Sequence, residues 1–206
     1  MTTLLTTAYW PNLLYIYHVL HSELIYIEQF ENYQKQSFRN RTQIYAANGV
    51  LNLTIPIKNQ SPKMLTKNVE ISYSENWQIN HWRAITSAYK NSPYFEFFET
   101  EINSFYTKRF LHLMEFNTEQ LKTILKLLRC KKDVRLTDNY IHQPHSTLDL
   151  REAIHPKKIV GTNEKLIQKL KQPYYQTFET KFGFQSNLSV LDILFNTGLE
   201  TINYLN

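Results

Sequence analysis

The sequence LIYIEQFENYQKQSFRNRTQI occupies residues 24–44 and joins an apolar run to a dense group of hydrogen-bonding side chains. Its first four residues, Leu24 to Ile27, are apolar and predict a short buried strand. Glu28 follows directly, and the polar part continues to Ile44. Rigid strands commonly present functional loops at their ends. We therefore expect the segment from Glu28 to Ile44 to carry a site whose position is fixed by the strand.

The residues before this segment predict the unit that delivers it. Residues 3–9 favour a β-strand, which Pro11 ends, and Asn12 is a candidate N-cap for a helix over residues 13–20. Together with the strand at 24–28 they predict a strand–helix–strand unit. Such units usually bind ligands beyond the carboxyl ends of their strands. Residues 9–12 and the segment from Glu28 onward are thus expected at one rim.

The remaining sequence predicts an Asn-Gly turn and a strand with one buried face, followed mainly by helices. An Asn-Gly turn at 48–49 precedes apolar residues that alternate through 51–57, and helical periodicity begins at Asn76. Further predicted elements are strands at 69–73 and 134–136 and helices beginning after 94, after 117, at 163 (ending near 181) and after the candidate cap pair Ser189 and Asp192. The predicted class is α/β, with a small mixed sheet from the N-terminal third covered by helices from the middle and C-terminal parts. We expect a single domain over 1–206, strand-rich over 1–75 and mainly helical over 76–206.

Composition indicates an ordered globular protein in a reducing compartment. Of the 206 residues, 42% are hydrophobic and 14% aromatic, and a single cysteine, Cys130, excludes an internal disulfide. The N-terminal sequence lacks the pattern of a signal peptide, and no apolar run is long enough for a membrane span. The predicted location is the cytoplasm.

Positive charge is concentrated in the second half of the chain. The formal net charge is +5, and residues 119–175 contain 12 Lys or Arg against 6 Asp or Glu. A solvated helical face, or docking to an anionic surface, explains this excess better than specific nucleic-acid binding, because no RNA-binding or helix-turn-helix pattern accompanies it. We therefore predict no specific nucleic-acid partner.

The polar segment offers groups for binding and for proton transfer. Arg39 and Arg41 point to one side if the chain is extended there and would clamp a carboxylate or phosphate, while Lys35 adds a further positive charge. Asn40 lies between the two arginines. Glu28, at the end of the buried strand, is a candidate general base if burial raises its pKa. The alternative is a buried ion-pair network that fixes a loop.

A second group of candidates lies on the predicted helix from Asn76 and just beyond it. His81 shares a face with apolar residues, so it is either a catalytic group or a hydrogen-bonded core histidine. Aromatic side chains near an arginine suit the stacking of a sugar or a base, although such residues also pack in cores. The candidates for contact with a ligand are Trp82, Tyr89, Ser92 and Tyr94.

No resident metal or cofactor is predicted. His142, His145 and His155 lack the spacing and the additional ligands of a zinc site. The sequence also lacks a phosphate-binding Gly-rich loop, a nucleophile elbow and a His-Glu zinc helix.

Four segments carry a resemblance to a known family. They are AYWPNLLYI at 8–16, IEQFENYQKQSFRNRTQIYAANGVLNLTIPI at 27–57, NWQINHWRAITSAYKNSPYFEFF at 76–98 and KFGFQSNLSVLDILFNTG at 181–198. The chain resembles the WbqC-like family in its shorter, Bacteroidetes-type form. Carried over by position, the motif residues are Tyr9, Pro11, Glu28, Lys35, Arg39, Asn40, Arg41, Asn48, Gly49, Trp77, His81, Trp82, Tyr89, Ser92 and Tyr94. Many longer relatives have Gln-Pro where this chain has Trp10-Pro11.

The resemblance implies a role in bacterial surface-polysaccharide biosynthesis rather than a particular reaction. One hypothesis is an enzyme that transfers an acyl or aminoacyl group to an amino sugar or a nucleotide-linked sugar. Lys35, Arg39 and Arg41 would then hold an anionic group, and Glu28 or His81 would accept the proton. The alternative is a non-catalytic component that binds a sugar or a protein partner of the pathway.

Overall fold

The computed structural model describes residues 1–58, 63–142, 144, 146–156, 158–159 and 164–206. Its strands are β1 (Thr2–Leu5), β2 (Leu24–Ile27), β3 (Arg41–Ala46), β4 (Gly49–Thr54), β5 (Asp133–Leu136), β6 (Thr147–Asp149), β7 (Ile154–His155) and β8 (Lys158–Ile159). Its α-helices are α1 (Leu13–Leu20), α2 (Trp77–Tyr89), α3 (Phe95–Thr107), α4 (Leu113–Leu127), α5 (Glu164–Leu170), α6 (Glu179–Phe182), α7 (Val190–Thr197) and α8 (Thr201–Leu205).

A four-stranded parallel sheet with strand order β5-β2-β1-β6 forms the centre of the fold. Leu5 pairs with Ile27, and Ile27 in turn pairs with Leu136, so the strands end together. All four carboxyl ends therefore lie at one edge of the sheet. The predicted α/β class is confirmed. The two outer strands, however, come from sequence beyond residue 130, because a parallel sheet can take its neighbours from distant segments.

The N-terminal unit forms as its sequence predicts. Asn12 caps α1, and its side-chain oxygen accepts a hydrogen bond from the backbone N–H of Tyr15 at 3.0 Å. Between β1 and α1 the backbone of Trp10 has a φ of 35°, a left-handed value that costs a non-glycine residue energy. The Trp10 carbonyl accepts hydrogen bonds from Thr42 and Ser189, which hold this conformation.

The predicted turn and the strand after it are confirmed, and the structure shows that they belong to a hairpin. Strands β3 and β4 pair antiparallel, with Ala46 opposite Gly49, and Gly49 has a φ of 99° that a residue with a side chain rarely adopts. The strand predicted at 69–73 is wrong. Instead, single bridges link Ile71 to Ile57 and Glu70 to His112, because the segment is fixed by two different neighbours rather than by one partner strand.

One predicted helix start and one predicted continuous helix are wrong. Helix α4 begins at Leu113, four residues before the predicted cap Asn117, which is buried and donates its amide to the Arg39 carbonyl at 2.7 Å. In the described part of 163–181, α5 ends at Leu170 and α6 begins only at Glu179, because Pro173 interrupts helical hydrogen bonding. A C-cap at Gly183 does follow α6.

The final helix confirms only half of the predicted cap pair. The Ser189 hydroxyl accepts from the N–H of Leu191 at 3.3 Å, as an N-cap does. The side chain of Asp192 instead accepts hydrogen bonds from Tyr89 and Tyr174, within the core. Its role is therefore to connect α7 to α2 and to the segment before α6.

Apolar side chains of α2, α3, α4 and α7 form one continuous core with the N-terminal unit. Phe116 of α4, for example, packs edge-on against Trp77 of α2 and Phe105 of α3. Within the part of the chain that the structure describes, no helix has both the length and the apolar character needed to cross a bilayer.

Candidate functional site

A cleft of about 270 Å³ opens at the carboxyl edge of the parallel sheet. It lies where β1, β2, β5 and β6 all end, which is the usual ligand position in parallel α/β sheets. Its walls come from the segment after β2 and from the segments around β6. The lining residues are Glu31, Asn32, Tyr33, Gln34, Tyr140, Asp149, Arg151 and Glu152. We call it the rim cleft.

Glu28 lies beneath the rim cleft and is completely buried. One carboxylate oxygen accepts from the N–H of Phe30 and the hydroxyl of Thr137, each at 2.9 Å. The other accepts from the N–H of Ile141 at 3.1 Å and from Arg151 at 3.4 Å. Four donors occupy the four acceptor positions of a carboxylate. Glu28 therefore fixes the ends of the strands, and this arrangement leaves it no position from which to accept a proton from a ligand.

Arg151 connects this buried carboxylate to the surface of the cleft. Its guanidinium binds Asp149 through two nitrogens, with the shortest distance at 2.6 Å, and reaches Glu28 on its other side. Burial acts to raise the pKa of Asp149, but the hydrogen bonds and positive charge of Arg151 outweigh it and hold the pKa below its ordinary value. The ring of Tyr140 stacks on Arg151 at 5.0 Å. Arg151 is thus held by two carboxylates and one aromatic ring.

A second buried ion pair forms the opposite wall. Arg39 binds Glu31 through two parallel hydrogen bonds of 2.7 Å, and both residues are buried. Burial raises the pKa of Glu31 even though Arg39 acts to lower it. Because Glu31 satisfies its guanidinium, Arg39 is not available to clamp an anionic ligand. Arg39 therefore matches the alternative interpretation, in which a buried ion pair fixes the loop.

Asn40 takes a position different from that of an anion clamp, and Arg41 does not line the rim cleft. Burial raises the pKa of Tyr33 to about 12, although the charges of Arg39 and Arg41 both act to lower it, so both arginines lie near that ring. The Nε of Arg41 is buried without a hydrogen-bond partner among the described residues. Asn40 donates its amide to the Ile55 carbonyl at 2.8 Å and thereby holds the end of the hairpin.

The open part of the rim cleft contains polar and aromatic groups that are at least partly exposed. Glu152 is exposed, and one of its oxygens accepts a hydrogen bond from the amide of Gln34 at 2.6 Å. Asn32 and Tyr140 are exposed beside it, whereas Lys35 is exposed but does not line the cleft. The groups that remain for a ligand are a carboxylate, two amides and an aromatic face.

The electrostatic balance of the rim cleft is negative. Four carboxylates, Glu28 and Glu31 beneath and Asp149 and Glu152 above, face the two guanidinium groups of Arg39 and Arg151. The formal charge of this set is −2, and the positive charge of Arg41 also acts on Tyr33 in the cleft wall. The formal charge of the set favours a cationic ligand over an anionic one.

His81 belongs to a separate buried cluster on α2. Its Nδ1 lies 2.9 Å from the hydroxyl of Tyr9, which contacts the hydroxyl of Tyr106 at 2.8 Å, and that hydroxyl accepts from the indole of Trp10. Burial lowers the pKa of His81 to about 4, against a smaller raising effect of the Thr54 carbonyl. The hydrogen-bond partners of His81, Tyr9 and the Thr54 carbonyl, do not line the rim cleft. His81 and Tyr9 thus connect α2, α3 and the β1–α1 loop rather than meeting Glu28.

The other candidates on α2 and beyond it are divided between core and surface. Trp82 packs against Phe95 and Tyr106, which makes it part of the core. Tyr89 is buried, accepts from the N–H of Tyr45 and donates to Asp192. These two residues hold helices together.

Ser92 and Tyr94 lie just after α2. The buried hydroxyl of Ser92 lies 3.0 Å from that of Thr177. Tyr94 is partly exposed, and its ring covers Gly198 so closely that a Cβ there would lie 2.7 Å from it. Neither residue lines the rim cleft.

The central residues of the rim cleft that the sequence did not identify are Asp149, Arg151, Tyr140 and Thr137. Asp149 ends a three-residue strand inside a segment that reads as irregular, and Arg151 reaches Glu28 across 123 positions of sequence. One feature of the sequence could have identified these residues. The short segment from Thr147 to Asp149 is followed by the charged residues Arg151 and Glu152, a pattern that predicts a strand end beside a polar site.

No group of three or more metal-ligating side chains occurs among the described residues. His142 is exposed and stacks against Tyr140, and His145 lies outside the described residues.

Comparison with known proteins identifies the family of the chain. The model of the WbqC-like protein family matches residues 7–165, which include the segments that form the rim cleft and both buried ion pairs. No curated protein and no solved structure matches the chain. Because the match covers more than half of the sequence, the chain belongs to the WbqC-like protein family.

Proposed function

We propose that this protein binds an amino sugar, or a sugar with similar polar substituents, in the rim cleft during bacterial surface-polysaccharide biosynthesis. The observation that supports it is the formal charge of −2 on a cleft with an exposed aromatic face at the carboxyl edge of a parallel sheet. Family membership supports the pathway.

The groups in the cleft suit a sugar. A pyranose ring presents an apolar face and a rim of hydroxyls, so it pairs with an aromatic ring and with amide and carboxylate groups. Tyr140 supplies the ring, and Gln34, Asn32 and Glu152 supply hydrogen-bonding groups. A protonated amine on the sugar would in addition be attracted by Glu152, whose carboxylate has no cationic partner among the described residues.

The same geometry favours binding over the proton transfer assigned to Glu28 or His81. Glu28 is buried with four hydrogen-bond donors, and His81 lies in another buried cluster. If an acyl or aminoacyl transfer to the sugar amine occurs, Glu152 is the carboxylate in the cleft that supports this second function, because it is exposed and reachable. The binding function requires no turnover.

Isothermal titration calorimetry tests this proposal. Glucosamine, glucose and glucose 6-phosphate are titrated into the protein at about pH 6, where an amine of this kind is protonated. We expect glucosamine to bind with a dissociation constant of about 1 mM, glucose more weakly, and glucose 6-phosphate not at all in this cleft. Glu152→Gln keeps the hydrogen-bonding shape but removes the charge, and should weaken glucosamine binding about tenfold.

The matched control is Glu75→Gln, which removes an exposed carboxylate outside the cleft. Equal affinity of the wild type and Glu152→Gln for glucosamine would refute an amine-binding rim cleft. Formation of an N-acylated glucosamine, with equal release of the donor's leaving group, would add the transfer function.

A further inference from the structure

A second, larger cleft of about 880 Å³ lies at the amino edge of the parallel sheet. The C-terminal turns of α4 form one wall, and the start of β5 forms the other. Leu125 and Val134 provide apolar surface between them. The cationic lining residues are Lys122, Lys126, Arg129, Lys131 and Lys132. We call it the basic cleft.

Most of this positive charge is not neutralised. Lys126, Arg129 and Lys131 form no ion pair within the part of the chain that the structure describes. The two acidic lining residues already have partners, since Glu23 binds the α-amine of Met1 at 2.8 Å and Asp133 binds Arg135 outside the cleft. Uncompensated cations in a concave surface focus a positive potential on it.

Local structure directs these cations toward the same space. Lys122, Lys126 and Arg129 are spaced by four and three residues, which places them on one face of α4 and its end. Arg129 follows the helix with a φ of 56°, at a position where glycine is usual. On the other wall, Lys132 is fixed because its ammonium group donates to the Ser22 carbonyl at 2.9 Å.

The basic cleft is separate from the rim cleft. Glu23 precedes β2 and Asp133 begins β5, whereas Glu28 and Thr137 follow those strands. Four residues of strand, about 13 Å, therefore separate the two edges. The two clefts have no lining residue in common and opposite charge. A ligand of the basic cleft need not be the ligand of the rim cleft.

We infer that the basic cleft binds a phosphate-bearing ligand that presents at least two adjacent phosphates. Five cations around one concavity exceed what a single carboxylate needs, and the volume accommodates a diphosphate with an attached group. This chemistry occurs in a free nucleoside diphosphate and in the headgroups of an anionic lipid surface. The inference does not rest on sugar binding in the rim cleft.

The only cysteine of the chain, Cys130, lines the basic cleft and reports on its occupancy. Its reaction with the dianionic disulfide DTNB is compared with its reaction with a neutral pyridyl disulfide in low salt. Because the positive potential concentrates the anionic reagent, DTNB should react about tenfold faster with the wild type than with the variant Lys126→Glu/Arg129→Glu. The rate with the neutral reagent serves as the reference, because the local charge also changes the reactivity of the thiol itself. The ratio of the DTNB rate to this reference should fall about tenfold in the variant, and about 1 M salt should remove that difference.

Binding is then measured directly with three probes. Inorganic pyrophosphate and uridine diphosphate are titrated calorimetrically, and vesicles of mixed phosphatidylglycerol and phosphatidylcholine are tested by co-sedimentation. We expect at least one probe to bind, to protect Cys130 from the neutral reagent and to lose about tenfold in affinity in Lys126→Glu/Arg129→Glu. Binding of pyrophosphate indicates a free diphosphate, and binding of vesicles alone indicates a lipid surface.

The control variant, Lys90→Glu/Lys171→Glu, changes the net charge equally at exposed positions outside the cleft. Circular dichroism and urea unfolding show whether each variant is folded. An equal effect of both double variants, no binding of any of the three probes, or tighter binding of single-stranded RNA than of every probe would overturn the inference. Loss of glucosamine binding in Glu152→Gln would leave it intact.

Discussion

Removal of the Arg151 guanidinium should destabilise the carboxyl edge of the sheet. The substitution Arg151→Met keeps most of the side-chain length but leaves Glu28 completely buried without a cation and Asp149 without its bidentate partner. Breaking a buried ion pair costs about 3–5 kcal/mol. The cost is lower here because Glu28 keeps three donors and the Asp149 side chain is 34% exposed. We expect a loss of about 2–3 kcal/mol.

Equilibrium unfolding in urea measures this loss. With a slope of about 2 kcal/mol per molar, the midpoint should fall by about 1–1.5 M. The matched control is Arg135→Met, which removes another Arg that binds an Asp two residues earlier, but at an exposed site. An exposed pair contributes little, so the control should leave the midpoint nearly unchanged.

Equal midpoints for Arg151→Met and Arg135→Met would refute the reasoning, because the burial of Glu28 would then have no energetic consequence. The double variant Glu28→Gln/Arg151→Met gives a second test. Because the glutamine of Glu28→Gln is uncharged, removal of Arg151 leaves no buried charge without a partner in the double variant. The loss in free energy of unfolding should therefore be at least about 1 kcal/mol smaller than the sum of the losses of the two single variants. Strict additivity would show that the two side chains do not interact.

Three further predictions concern buried and capping side chains elsewhere in the fold. Arg39→Met should cost about 3 kcal/mol in urea unfolding because it strands the buried Glu31, and Glu31→Gln in the same chain should restore part of that loss; no restoration would contradict the ion pair. The pKa of His81 is near 6.5 in the unfolded chain and about 4 in the folded protein. Between these pH values the unfolded chain therefore binds more protons. The free energy of unfolding accordingly falls as the pH decreases through this window. That fall contains up to about 3 kcal/mol from His81, and His81→Gln should remove it, whereas an unchanged pH dependence would place the imidazole in water. Asn12→Ala should cost about 1 kcal/mol by removing the cap on the N–H of Tyr15, and Asn12→Ser should recover most of it in the same measurement.

The elements that the sequence predicted correctly are those with local signals. Asn12 caps α1 because its side chain bonds a backbone N–H three residues later, and Gly49 permits the hairpin through its own φ. Asn117 shows the limit of this kind of argument. Its position resembled a cap, but its amide bonds to Arg39, 78 residues earlier, and α4 begins before it.

The candidate site follows the same distinction. The sequence correctly indicated that polar residues after β2 lie at a strand edge, because the apolar run ends directly at Glu28. It did not indicate which charged side chains form ion pairs. Arg39 pairs with Glu31 because of the fold of the intervening turn. Arg151 reaches Glu28 only because β6 joins the sheet beside β1. Glu28 and His81 were both candidates for proton transfer at one site. Each instead forms its hydrogen bonds within a separate buried cluster.

A crystal structure of the protein soaked with glucosamine tests the central claim most directly. The account predicts a sugar in the rim cleft, with its ring against Tyr140 and its amine within hydrogen-bond distance of Glu152, while Glu28 and Arg151 keep their contacts. A sugar bound elsewhere on the molecule, with the rim cleft occupied by water alone, would contradict it.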